Sequence, residues 1–92
     1  MHSPSMPLQI TLYSRPGCHL CEEVHGYLEE WTADLTLETR VVDITQDEAL
    51  FERFRYWIPV VDVAGGPLLY PPFSRDRLRA TLEQLAADAE QG

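Results

Sequence analysis

The chain has 92 residues, and seven arginines, no lysine and fifteen acidic residues give it a formal net charge of −8. A hydrophobic fraction of 45% is ordinary for a folded domain and excludes wholesale disorder. The negative charge argues against nucleic-acid binding, which needs clustered positive charge to displace counterions from phosphates.

The hydropathy of the chain predicts one domain with no membrane partner. No apolar run approaches the roughly 18–20 residues of a membrane span. We interpret residues 1–7 as a flexible leader, because MHSPSMP lacks the charged start and the apolar centre of a secretory signal. With two cysteines and no such signal, we expect a cytoplasmic protein with a single domain over residues 8–89.

The first half of the chain predicts a strand followed by a helix. Alternating apolar and polar residues over 8–13 indicate the strand, which a Pro-Gly turn at 16–17 ends. From Cys18 onward, apolar residues recur at three- and four-residue steps, as in an amphipathic helix. Gly26 within this helix costs about 1 kcal/mol relative to alanine, and we attribute it to a close backbone contact. The predicted apolar face consists of Leu20, Cys21, Val24, Tyr27, Leu28 and Trp31.

The middle of the chain predicts a strand, a short helix and a second strand. Residues 37–44 are rich in β-branched side chains and indicate the first of these strands. Thr45 and Glu48 fit a capping box, in which the threonine caps the helix start. The helix should continue through Ala49, Leu50 and Phe54, and residues 59–63 indicate the next strand.

The last third predicts a hairpin and a closing helix. A turn at 64–66 leads to a strand over 67–70, and Pro67 favours the sheet edge because proline has no N–H to donate. Residues 71–72 are both proline and end the sheet, after which Ser74 can cap a helix. The predicted apolar face of that helix consists of Leu78, Leu82, Leu85, Ala86 and Ala89.

The element order is therefore β-α-β-α-β-β-α. The first three elements form a βαβ unit, which should be right-handed with parallel strands. The closing β-β-α adds an antiparallel hairpin and a covering helix. We predict an α/β fold with a four-stranded mixed sheet and helices on both faces.

Cys18 falls where a thiolate would be stabilised. The thiolate is the nucleophilic form of cysteine, and a free thiol with a pKa near ~8.5 is mostly protonated at neutral pH. At a helix start, the unpaired N–H groups and the positive end of the helix dipole favour the charged form. Arg15, and His19 when protonated, lie beside Cys18 and add to this effect, whereas Glu22 and Glu23 oppose it. We expect a net lowering of the Cys18 pKa and predict that Arg15 and His19 contact the substrate.

Cys21 lies one helical turn after Cys18 and belongs to the apolar face. It is therefore predicted to be the more buried of the two thiols, close enough to attack a mixed disulfide formed at Cys18. This geometry makes Cys18 the attacking cysteine and Cys21 the resolving one.

Two other interpretations of the cysteines stay open. Both could be small hydrophobic residues of a core, which fits Cys21 better than Cys18 in its polar turn. A closed metal site needs about four ligands, and the chain offers only His2, His19 and His25 beside the cysteines. We therefore predict no metal site within one chain.

Three features of the sequence carry a family resemblance. The segment LYSRPGCHLC places C-x-x-C after a strand and at a helix start. The segment WIPVV, residues 57–61, is similar to one in which a cis-proline opens the third strand. With the element order over about residues 8–89, these features resemble the glutaredoxin-like branch of the thioredoxin superfamily. The resemblance implies the thioredoxin/glutaredoxin-like fold and a dithiol–disulfide exchange enzyme with Cys18 as nucleophile.

The resemblance also implies roles for other residues. Ile58 would offer backbone hydrogen bonds to the cysteinyl part of a substrate, and the bond before Pro59 would be cis, although Pro59 also fits a plain strand-opening proline. Glutathione is an implied co-substrate, but His19-Leu20 replace the usual Pro-Tyr pair and no Gly-Gly precedes the last helix. In its place, the N–H groups after Ser74, helped by Arg75, are predicted to hold a carboxylate.

We therefore predict a thiol–disulfide oxidoreductase that acts as a monomer. Its substrate would be a disulfide-containing protein or small molecule, its electron donor glutathione or a thioredoxin reductase, and its chemistry requires no organic cofactor or metal. Two alternatives remain. One is a dimer that shares an iron–sulfur cluster, which the resemblance permits. The other is a non-catalytic module of the same fold that binds a partner through the groove beside Pro59.

Overall fold

The computed structural model of the chain describes residues 7–91. The predicted leader therefore lies, except for Pro7, outside the described residues. The elements follow one another as β1 (Leu8–Ser14), α1 (His19–Leu35), β2 (Leu37–Asp43), a 3-10 turn (Ile44–Gln46), α2 (Glu48–Phe54), β3 (Val60–Val63), β4 (Leu68–Leu69) and α3 (Arg75–Gln91). This order confirms the predicted β-α-β-α-β-β-α sequence.

The strands form one four-stranded mixed sheet in the order β2-β1-β3-β4. β1 pairs with β2 in parallel, with Leu8 opposite Leu37. β3 runs antiparallel to β1 and to β4, with Val61 opposite Leu12 on one side and Leu69 on the other. β4 lies at an edge, as Pro67 predicted. The α/β class and the mixed sheet are therefore confirmed.

The two faces of the sheet bury separate clusters. Because successive side chains of a strand point to opposite faces, Leu8, Ile10 and Leu12 of β1 all pack on the face that α1 and α3 cover. On the other face, Val60 of β3 packs with Phe54 of α2. Helices thus cover both faces, and β1 lies in the middle of the sheet with α1 directly after it.

The cap of α2 differs from the prediction. Thr45 does not cap this helix, because its N–H and its hydroxyl both donate to the Asp43 carboxylate, at 2.8 and 2.6 Å, within the 3-10 turn. These two hydrogen bonds hold the pKa of Asp43 below its usual value. Asp47 is the cap instead, since its Oδ1 accepts from the N–H of Leu50 at 3.1 Å.

The predictions for Gly26 and Leu20 were wrong, and two strands were predicted to be longer than they are. Apart from the adjoining residues and the backbone of α1 itself, no described atom lies within 4 Å of where a Cβ on Gly26 would stand, so no close contact with another element explains this glycine. Leu20 does not belong to the buried face of α1, because it is 59% exposed. β3 begins at Val60 and β4 at Leu68, each one residue after a proline that has no N–H for the ladder.

Ser74 caps α3 as predicted, since its Oγ accepts from the N–H of Arg77 at 3.2 Å. In the turn between β3 and β4, the Ala64 N–H donates to the Gln9 carbonyl at 3.0 Å. In the part of the chain that the structure describes, no helix combines the length and the apolar character needed to cross a membrane.

Candidate dithiol site

Cys18 lies at the junction between β1 and α1. Gly17 before it has a φ of +78°, a left-handed conformation that glycine adopts without strain and that turns the chain into the helix. Cys18 is the N-cap of the 17-residue helix α1, with extended backbone angles. Its Sγ accepts a hydrogen bond from the N–H of Cys21 at 3.1 Å. The sulfur therefore lies at the positive end of the helix dipole, where negative charge is stabilised.

A disulfide joins Cys18 and Cys21, whose Cα atoms are 5.2 Å apart. The two cysteines differ in access to solvent. Cys21 is 3% exposed and packs inside the domain, whereas Cys18 is partly exposed. Cys18 is therefore the cysteine that is more accessible to a reacting partner in solution.

The charged residues around the disulfide are exposed. Arg15 precedes the turn and His19 is the first residue of α1, so both lie beside Cys18, as the sequence places them. Glu22 and Glu23 follow on the first turn of the helix and are also exposed. None of these four residues takes part in an ion pair among the described residues. The predicted substrate contacts of Arg15 and His19 stay predictions.

Ile58 and Pro59 lie in the loop between α2 and β3. The peptide bond between them is cis, and Pro59 is buried. The N–H of Ile58 donates to the carbonyl of Phe54 at 3.2 Å. The Ile58 N–H thus has a partner within the protein, and the prediction that the Ile58 backbone bonds to a substrate stays a prediction.

An apolar groove borders this site. We call it the Leu20 groove, because Leu20 from the C-x-x-C segment forms one of its walls. Pro59 belongs to it as well, which connects it to the cis-proline loop. Its full lining is Leu20, Glu23, Val24, Tyr27, Pro59, Pro71, Pro72 and Phe73.

Most of this groove was not predicted from the sequence. Leu20 was predicted to lie on the buried face of the helix, and residues 71–72 were interpreted only as the end of the sheet. The signal for the groove was present in the pattern, because Leu20 sits one residue before Cys21 and is therefore rotated by about 100° from it on the helix. A wall made by residues 71–73 depends on how the loop returns over α1, which local sequence does not specify.

Ser74 and Arg75 do not line the Leu20 groove. Arg75 instead forms an ion pair with Glu30 of α1, and its guanidinium lies 5.5 Å from the ring centroid of Trp31. Ser74 borders a neighbouring hollow on the other side of Phe73, together with Arg77. The carboxylate site predicted at Ser74 and Arg75 stays a prediction, and the arginine that lines this hollow with Ser74 is Arg77.

The donor groups for a metal are few. In residues 7–91, no three His, Cys, Asp or Glu side chains converge in a group that could hold a metal ion. An iron–sulfur cluster is commonly held by four thiolates. Each chain has two cysteines, and Cys21 is buried, so the exposed cysteines of two chains would supply two ligands. The other two ligands would have to come from a small thiol, and the cluster-sharing dimer stays an alternative.

The fold and the C-x-x-C at the start of α1 define a protein of the thioredoxin-like class. Comparison with known families gives the assignment more narrowly. Residues 9–83 match the family described as "Glutaredoxin-like domain (DUF836)". Because this match spans most of the chain, the protein belongs to that glutaredoxin-like family, which confirms the resemblance.

Solved structures of similar proteins agree with this assignment. The X-ray structure of the structural genomics target XcR50 from X. campestris is 35% identical, with a TM-score of 0.70 over 82% of this chain and 96% of that one. The NMR structure of Ne2328 from Nitrosomonas europaea is 28% identical, with a TM-score of 0.70 over 88% of this chain and 98% of that one. A solution structure of XcR50 gives a TM-score of 0.67. No protein with a curated description matches the chain.

Proposed function

We propose that this chain is a thiol–disulfide oxidoreductase in which Cys18 attacks and Cys21 resolves. One observation carries the proposal, namely the unequal placement of the two sulfurs. Cys18 is partly exposed at the positive end of α1 and accepts an N–H hydrogen bond, whereas Cys21 is buried one turn further on. Membership of the glutaredoxin-like family supports the same chemistry.

The reaction begins with the reduced dithiol. The Cys18 thiolate attacks one sulfur of a substrate disulfide, so that a new S–S bond forms and the substrate's own S–S bond breaks. The departing sulfur leaves as a thiolate and takes a proton from water. The Cys21 N–H and the dipole of α1 stabilise the attacking thiolate before this step.

The second step releases the substrate. The Cys21 thiol loses its proton to water and attacks the Cys18 sulfur of the mixed disulfide, which breaks the bond to the substrate sulfur. The remaining substrate thiolate leaves and takes up a proton from water. The product is the Cys18–Cys21 disulfide seen in the structure. Two electrons have then passed from the protein to the substrate, and no metal or organic cofactor takes part.

Another turnover requires a reductant for the disulfide. We propose glutathione or a thioredoxin reductase for this role, each of which would supply the two electrons through thiol–disulfide exchange at Cys18. We further propose that the protein works as a monomer in the cytoplasm, on a disulfide of a protein or a small molecule, without a nucleic-acid or membrane partner.

Serine variants of the two cysteines test the proposal. Reduced protein is mixed with oxidised 2-mercaptoethanol, and the turnover supported by dithiothreitol is compared with the background rate. Cys18→Ser should lose all turnover above background. Cys21→Ser should form a mixed disulfide with the substrate, which mass spectrometry detects. Full turnover by Cys18→Ser would contradict the assigned roles.

A further inference from the structure

The Leu20 groove shares a residue with the segment that carries the two cysteines. Leu20 lies between the two cysteines, inside the four-residue segment that the disulfide closes, and Pro59 of the cis-proline loop lines the same groove. A side chain next to the substrate's reacting cysteine would therefore lie against these walls. This position makes the groove a determinant of which disulfide reacts.

The groove is unsuited to an anionic ligand. Of its lining residues, only Glu23 carries a charge, and that charge is negative. Arg75 is paired with Glu30 and does not line the groove. The carboxylates of a ligand such as glutathione would find no cation in these walls, and the net charge of −8 adds repulsion at longer range. As the proposed reductant, glutathione would therefore reach Cys18 without placing its carboxylates in this groove.

Apolar surface continues beyond the groove. Trp57 is 55% exposed and Tyr70 is 44% exposed, and their rings meet edge to face with centroids 6.1 Å apart. Along the chain, Trp57 directly precedes Ile58-Pro59, and Tyr70 directly precedes Pro71-Pro72, so each ring is attached to a proline segment that lines the groove. Exposed aromatic rings beside an apolar groove are typical of a binding face for a macromolecule.

From these observations we propose that the substrate is an extended polypeptide whose reactive cysteine has an apolar neighbour, and that the Leu20 groove binds that neighbouring side chain. The proposal rests on the proposed oxidoreductase function and names its substrate class. The apolar walls bury the neighbouring side chain, and the carbonyl of Ile58 would accept an N–H from the extended backbone. Acidic neighbours are disfavoured by Glu23.

Two matched peptides test the selection. Each is an eight-residue peptide oxidised to a disulfide-linked dimer, and the two differ only in the residue beside the cysteine, which is Leu or Ser. The second-order rate constant with the reduced, desalted protein is measured for each and divided by the rate constant of the same peptide with dithiothreitol. We expect the normalised rate for the Leu peptide to be about tenfold higher, since burying one aliphatic side chain in an open groove accounts for that much.

Variants assign the preference to the groove. Leu20→Ser removes an exposed wall without opening the core, and it should reduce the Leu-to-Ser ratio to about threefold or less. Val41→Ser is the matched control, because Val41 is also an exposed aliphatic residue but lies on β2, away from the groove, and its ratio should equal that of the wild type. Equal normalised rates for both peptides, or an unchanged ratio in Leu20→Ser, would overturn the substrate proposal.

The reduction of oxidised 2-mercaptoethanol distinguishes a failure of the substrate proposal from a failure of the proposed oxidoreductase function. If oxidised 2-mercaptoethanol is reduced while the Leu and Ser peptides react alike, the oxidoreductase function stands and the groove proposal fails. If the wild-type protein reduces neither the small disulfide nor the peptides, both proposals fail together.

Discussion

Phe54 anchors the loop that carries Pro59, and its truncation should be costly. Its side chain is 1% exposed, stacks on Tyr13 with centroids 4.6 Å apart, and joins α2 to the sheet. Its carbonyl accepts the N–H groups of Trp57 and Ile58 at 2.8 and 3.2 Å, so the position of the loop follows that of the last turn of α2.

We expect Phe54→Ala to lower the free energy of unfolding by about 4 kcal/mol, from lost burial, a residual cavity and the lost aromatic pair. That is a large part of the roughly 5–15 kcal/mol that stabilises a domain. Phe51 on the same helix is only partly buried, so Phe51→Ala should cost about 1–2 kcal/mol. Urea unfolding at neutral pH, followed by far-ultraviolet circular dichroism, measures both values.

A milder variant, Phe54→Leu, allows the test even if Phe54→Ala is too unstable to purify. Phe54→Leu keeps most of the side-chain volume and should cost roughly 1–2 kcal/mol. Because the Phe54 carbonyl holds the loop backbone by two hydrogen bonds, Phe54→Leu should also slow the reduction of oxidised 2-mercaptoethanol under conditions where the protein is folded. Equal losses of stability in Phe51→Ala and Phe54→Ala would refute the reasoning, since the two side chains differ mainly in burial.

Three further predictions follow from the local geometry. Asp47→Ala should destabilise the protein by about 1 kcal/mol in urea unfolding, whereas Thr45→Ala should cost less, because Asp47 holds the cap of α2. Burial and the neighbouring Asp62 carboxylate raise the pKa of Tyr13 above its ordinary value of 10.0. The contribution of Tyr13 to stability is therefore complete below pH 10 and is lost as the pH rises through the pKa of Tyr13 in the folded protein. Titration at 295 nm should show a lower Tyr13 pKa in Asp62→Asn. Glu23→Gln should raise the rate with a peptide disulfide that carries Asp beside its cysteine, and stopped-flow measurements showing no change would contradict a role for that charge.

Much of the fold could be predicted from residue patterns because those patterns reflect burial. The alternation in β1 and the three- and four-residue steps in α1 correspond to Leu12, Val24 and Leu28, which are buried in one cluster. Pro67 also predicted an edge strand for a direct reason, the missing N–H. The start of α1 at Cys18 followed from the Pro-Gly turn, which breaks the strand and opens the helix.

The predictions were wrong where the local sequence allowed two conformations or where a distant residue decided the outcome. Thr45 and Asp47 are both good helix caps, and only the 3-10 turn, which ties Thr45 to Asp43, decides between them. Leu20 matches the helical period approximately, but the exact rotation of α1 against the sheet leaves it in solvent. The position of Arg75 depended on Glu30, 45 residues away, which no local pattern could reveal.

The four-residue ring between Cys18 and Cys21 also has a consequence for the stability of the protein through its cycle. A cross-link stabilises a fold mainly by restricting the unfolded chain, and the effect grows with the length of the closed loop. Here the sequence separation is three, so the bond contributes only about 2 kcal/mol by that reasoning. The sheet and the helices that cover it supply the remaining stability, so opening and closing the disulfide in the proposed cycle should leave the architecture around it in place.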